Sequence, residues 1–168
     1  MSSRSNPEFA ARARRLAALL LAVSTGAVAA PAAVLPFGPQ TWGELQQGGA
    51  RPQVVVFSAT DCTHCPAAID KLAAALRKSP ATPRLAVVVM DGQSHEAALL
   101  ADRHYRQADA LYAFDGDPVS LRYRVNPDWR GLTPYVVLLP ARGAARYFNG
   151  LPPAAVLRDF LHPGAGKR

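Results

Sequence analysis

Cysteine is scarce in this chain: two among 168 residues, Cys62 and Cys65. Two thiolates three residues apart supply one edge of a tetrahedron, whereas a structural zinc site generally takes four protein groups. The histidines offer no second close pair to complete it: His64 sits between the cysteines, and His95 and His104 fall on another expected helix. Acidic residues number 12 against 19 basic ones, a net charge of +7. Arg4, Arg12, Arg14 and Arg15, offset only by Glu8, supply +3 of that, and the remaining +4 is spread singly along the chain. No basic stripe with interleaved aromatics is visible, which argues against nucleic acid as a partner. There is no internal repeat, and the length suits one domain with a sizeable core.

Long apolar runs are also missing. The stretch LAALLLAV (16–23) falls short of the roughly 20 residues that span a bilayer, and Ser24, Thr25 and Gly26 follow it. Basic RARR (12–15) ahead of this stretch and small residues after it make the three parts of an export signal. Ala27-Val28-Ala29 fits the cleavage pattern, so residues 1–29 are expected to be a signal peptide, with an uncleaved anchor as the alternative. Either way the domain is expected outside the cytoplasm, in a bacterial periplasm, where paired thiols meet oxidants. Membrane association is expected only if the segment stays uncleaved.

Residues 30–40, rich in proline, read as a linker, and 163–168 as a tail, leaving a domain over 41–162. Thr41-Trp42-Gly43-Glu44 has the form of a capping box before a short helix. The β-branched runs QVVVF (53–57) and RLAVVVM (84–90) read as buried strands. Between them Ile69, Leu72, Ala73 and Leu76 recur at helical spacing, which gives a strand–helix–strand unit with parallel strands. A helix over 94–105, a strand over 109–114 and a helix from Asp117-Pro118 through Arg124 follow. PYVVLLP (134–140) and AARYFN (144–149) suggest an antiparallel hairpin turning around Arg142-Gly143, and PPAAVLRDFL (152–161) a closing amphipathic helix.

What the cysteines do can be weighed by energy. A disulfide closing so short a loop restrains the unfolded chain by roughly 2 kcal/mol, against about 4.7 for a hundred-residue loop, so a purely structural staple is poorly placed. Copper, content with fewer soft ligands, keeps a carrier function open. Redox exchange uses more of the stretch SATDCTHCP. A helix starting near Cys62 would bring its amides and dipole to that sulfur and favour thiolate. Cys65, one turn on, can attack a mixed disulfide formed there. His64 adds a donor or positive charge, while Asp61 opposes the thiolate.

VVVFSATDCTHCP, together with Tyr123-Arg124-Val125 and with Thr133-Pro134 before a late hairpin, resembles the thioredoxin superfamily. The strand and helix between residues 84 and 115 are similar to the central insertion of TlpA/ResA-like envelope proteins, and residues 40–161 follow that order of elements. The resemblance implies an α/β fold: a thioredoxin-like three-layer sandwich, with a central mixed sheet flanked by helices and an extra strand–helix insertion. It implies Cys62 as attacking thiol, Cys65 as resolving thiol, a redox-active Cys62–Cys65 disulfide, and Pro134 as a cis-proline with Thr133 presenting backbone to a bound peptide. Thr63 and His64 would support the pair, with no cofactor and no metal.

The activity implied is thiol:disulfide oxidoreduction on envelope proteins bearing cysteines or disulfides, with a membrane electron donor as the further partner. The insertion favours a reductant, whereas His64 before the second cysteine is similar to the oxidase DsbA, and the Thr-Pro and terminal hairpin to the isomerase DsbC. The sequence departs from the pattern in several places. Val56 stands where thioredoxin has a buried acid, and Ser58 and Asp61 stand where aromatics are frequent. Asn126-Pro127-Asp128-Trp129 is an insertion whose Trp129 would either rim the site or pack. The proton acceptor for Cys65 is left among water, His64 and Asp91.

Overall fold

The two central strands are the two β-branched runs. In the computed structural model, which describes residues 30–163, β2 (Gln53–Ser58) pairs in parallel with β3 (Arg84–Val89) from Gln53 opposite Arg84 to Ser58 opposite Val89. Every residue of β2 is buried, the expected state of a parallel strand covered on both faces. The sheet has six strands in the order β1-β4-β3-β2-β5-β6. Outside the central pair lie β1 (Val34–Phe37) and β4 (Ala110–Phe114), both parallel, and the hairpin β5 (Tyr135–Leu139) and β6 (Arg146–Asn149), antiparallel.

Strand alternation sends side chains to two cores. Val54 and Val56 pack with Ile69, Leu72 and Leu76 of α2 (Cys65–Arg77) and with Phe160 and Leu161 of α5 (Ala154–Leu161). Val55 and Phe57 pack on the opposite face with Trp42 of α1 (Thr41–Gln46) and with Leu121 and Val125 of α4 (Pro118–Val125). The result is the expected three-layer sandwich. The strand–helix insertion is present as α3 (Glu96–Ala101) followed by β4, which lies between β3 and the edge strand β1.

Three local expectations are corrected. The supposed linker contains β1, which pairs Val34 with Leu111 and buries Phe37 completely. Its prolines masked it, yet proline is tolerated on an edge strand. The capping box does not form: Gln40 precedes the helix without a side-chain cap, and Thr41 Oγ1 instead accepts the Gly38 N–H at 3.0 Å. The helix expected over 94–105 stops at Ala101, because Asp102 turns extended and its carboxylate accepts the His104 N–H at 2.7 Å. A 3-10 turn (Tyr105–Gln107) follows. The expected signal peptide (1–29) and most of the expected tail (164–168) lie outside the described residues, among which no helix is long and apolar enough to cross a membrane.

Asp117 caps α4 by accepting the Ser120 N–H at 2.8 Å, and bonding to Ser120 holds its carboxyl below the ordinary value of 3.8. A depressed carboxyl contributes stability above its unfolded pKa and loses it as pH falls through the folded one. Asp117→Ala is therefore expected to lower the melting temperature at neutral pH. That deficit shrinks as the pH drops below 3.8. Melting curves of both proteins from pH 7 downward check it.

Candidate active site

β2 ends at Ser58, and the chain then crosses through a short loop carrying Cys62 to α2, which opens on Cys65. The loop is tied down at its start: Asp91, just beyond β3, accepts the Thr60 N–H at 2.9 Å and also the Thr60 hydroxyl. The Cys62 N–H donates to the Ala59 carbonyl at 3.1 Å, and the Cys65 N–H to the Cys62 carbonyl at 3.3 Å. Asp91, one of the three candidate proton acceptors for Cys65, is thus engaged with the loop backbone.

The helix starts at Cys65, not near Cys62, with His64 as its N-cap residue and Pro66 in the first turn. Pro66 lacks only an N–H that the first turn leaves unpaired in any case. Cys62 lies one turn outside the helix, but its sulfur is bonded to that of Cys65, the first helical residue. This bond brings the Cys62 sulfur to the helix start by a different route from the one expected. Cys65 is completely buried, Cys62 is half-buried, and Thr63 and His64 are exposed. Incoming groups therefore meet the Cys62 sulfur first.

Strand register delivers Thr133 and Pro134 to the same end of the sheet. Tyr135 lies opposite Phe57, so Pro134 comes level with Ser58, the last residue of β2, and Thr133 lies just beyond it, where the cysteine loop departs. Their peptide bond is cis, Pro134 is buried and Thr133 half-buried. Leu132, just ahead, is 65% exposed, and Tyr123 on α4 is 66% exposed.

Trp129 packs and does not rim the site. It is buried, stacks on Tyr135 at 4.4 Å between ring centroids, and meets Phe57 at 4.8 Å. Its indole N–H donates to the Leu132 carbonyl at 2.9 Å. Asn126 extends the clamp, its amide donating to the Tyr135 hydroxyl at 2.8 Å. The four-residue insertion is therefore a brace for the loop that carries Thr133-Pro134.

Beneath the cysteines the α2 face of the sheet is apolar at Val56, where the resemblance would have placed an acid. Two residues on, Ser58 is fully buried, with its Oγ 3.2 Å from the Tyr105 hydroxyl. Burial pushes the Tyr105 phenol above its ordinary value, with the Ser58 bond pulling the other way, so Tyr105 keeps its proton at neutral pH. This pair was not anticipated. Ser58 was noted only as a departure from an aromatic, and nothing in the sequence sets Tyr105 apart from its helical neighbours.

The histidines weighed for copper are held elsewhere. His104 Nδ1 lies 2.8 Å from Asp70 Oδ1, and His95 Nδ1 2.9 Å from the Gln93 carbonyl. Among the described residues no group of three or more His, Cys, Asp or Glu side chains is placed to hold a metal ion.

The fold and site together define a thioredoxin-like α/β domain with a disulfide at the junction of its second strand and second helix. A thiol-disulfide isomerase from Corynebacterium glutamicum has this fold, with a TM-score of 0.50 at 17% identity over 68% of this chain and 82% of that one. A thioredoxin-like protein from Porphyromonas gingivalis gives 0.49 at 21% identity, covering 68% and 78%. A secreted Mycobacterium tuberculosis disulfide oxidoreductase homologous to Escherichia coli DsbE gives 0.45 at 21%, covering 63% and 72%. No protein-family model and no curated protein sequence matches the chain.

Proposed function

We propose that this chain is an exported thiol:disulfide oxidoreductase that reduces disulfides in envelope proteins through Cys62. The observation that carries the proposal is the asymmetry of the cysteine pair: Cys62 partly exposed in a braced loop, Cys65 fully buried at the first residue of a helix. In the reduced protein the Cys62 thiolate attacks a substrate disulfide, forming a mixed disulfide and releasing one substrate thiolate. The Cys65 thiolate then attacks the Cys62 sulfur, forming the Cys62–Cys65 disulfide and releasing the second substrate thiolate. Two electrons leave the dithiol, and a membrane-held dithiol donor restores them.

The helix start supports the thiolate form, and exposed Leu132 and Tyr123 offer apolar contacts to a polypeptide laid along Thr133. Thr63 and His64 border the attacking sulfur from the solvent side. The direction of electron flow rests on the strand–helix insertion. Alkylation of thiols in intact cells tests it: a reductant has Cys62 and Cys65 mostly reduced at steady state. A mostly oxidised pair would mark an oxidase or a dormant bridge and overturn this direction.

A further inference from the structure

The fold gathers cations that are dispersed in the sequence. Arg51 before β2, Arg77 at the end of α2, Arg84 at the start of β3 and Arg106 in the 3-10 turn line one cleft of about 1000 Å³. All four are exposed, and none lies within salt-bridge distance of a carboxylate among the described residues. One carboxylate, Asp109, also lines the cleft, and it accepts the Leu85 N–H at 2.7 Å. Between the arginines the lining is mixed: buried Ala73, Leu76 and Leu85 form the floor, and Thr82 and Gln107 add polar groups.

This end of the molecule is opposite the cysteines. β2 and β3 run from the arginines towards the cysteine loop, and α2 returns from Cys65 to Arg77, a helix of about 20 Å. The hairpin turn adds exposed Arg142 at the arginine end, since Leu139 pairs with Gln53. Ser79 in the cleft donates to the Leu161 carbonyl at 2.7 Å, so α5 also ends here. Exposed acids collect at the other end, where Asp61, Asp91, Asp115 and Asp117 follow the ends of β2, β3 and β4.

We infer that the arginine-lined cleft is a docking site for anionic phospholipid headgroups, which seats the domain on a bilayer with Cys62 turned away from it. The N–H pairs of a guanidinium bind phosphate oxygens in fork geometry, and four exposed arginines around one cleft match a surface dense in phosphates. Nucleic acid fits less well, because among the described residues no aromatic side chain lines the cleft to stack on bases. The four aspartates are repelled by the same surface, which favours the orientation with the cysteine end outward. The inference does not depend on the chemistry of Cys62.

The N-terminal apolar stretch can itself attach the chain to lipid, so the test reads orientation and not binding. The purified full chain is labelled with phenylglyoxal, and each arginine is quantified by mass spectrometry. Phosphatidylglycerol vesicles are expected to slow labelling of Arg77, Arg84 and Arg106 about fivefold or more relative to Arg130 in the cysteine-end loop. Phosphatidylcholine vesicles, inorganic phosphate and a single-stranded oligonucleotide give no such protection, and molar salt abolishes it. In the double variant Arg84→Gln, Arg106→Gln the protection of Arg77 is lost. Equal labelling of all arginines on the anionic vesicles overturns the proposal, as does undiminished protection of Arg77 in the double variant. Matching protection by phosphate would make the cleft a free-anion site, and matching protection by the oligonucleotide a nucleic-acid site; either replaces the membrane reading.

Discussion

Cys65→Ser is expected to trap partner proteins on Cys62 as mixed disulfides, while Cys62→Ser abolishes trapping and drops exchange to background, a loss of several orders of magnitude. The asymmetry follows from accessibility. A substrate disulfide must approach an attacking thiolate in line, and only the half-exposed Cys62 offers that path. Cys65, fully buried, reaches only a sulfur already bonded to its neighbour. Without Cys65 the first step proceeds and the second has no nucleophile, so the intermediate accumulates. Trapping is read by non-reducing electrophoresis after alkylation, and exchange with a small aromatic disulfide by absorbance. Equal trapping by both single variants would mean that Cys65 becomes accessible and would remove the basis for a fixed attacker.

The same pair sets an expectation for potential. A reductant lies towards the thioredoxin value of about −270 mV, whereas an oxidase lies towards about −120 mV. Two features pull in opposite directions here. The sulfur at the helix start favours thiolate and hence the reduced form, which makes the protein more oxidising. The neighbouring Asp61 carboxylate counters it.

Much of this architecture was legible because the signals were local and strong. The β-branched runs around Val54–Val56 and Val87–Val89, and the helical recurrence of Ile69, Leu72 and Leu76, each specify one element with little competition. The cysteine pair announced itself by its place between a strand and a helix. What escaped was of two kinds. Elements decided by tertiary pairing were misread: β1 looks like a linker because only its partner β4 gives it a reason to extend. Contacts between distant residues were invisible as well. Ser58 meets Tyr105 across 47 positions, and the four arginines of the cleft are spread over more than fifty. The grouping of these cations could not be read along the chain, because it is written across the ends of separate strands and helices.

Trp129→Ala is expected to cost about 3–5 kcal/mol of stability, the usual range for truncating a large buried aromatic, and to lower the melting temperature by roughly 10 °C. The indole fills the space between Phe57 and Tyr135, so its removal leaves both rings facing a void. It also frees the Leu132 carbonyl, one residue before Thr133. Two consequences can then be separated. Trp129→Phe keeps a ring in the stack but loses the N–H donor, worth about 1 kcal/mol, and part of the indole volume. Its cost therefore falls between that hydrogen bond and the full truncation. If the insertion braces the peptide-presenting loop, both variants slow exchange with a protein disulfide more than with a small one. The small disulfide needs only Cys62, whereas a polypeptide must also seat against Thr133. Equal slowing on both substrates would reduce Trp129 to a core residue, and an unchanged melting temperature for Trp129→Ala would refute the packing on which the brace depends.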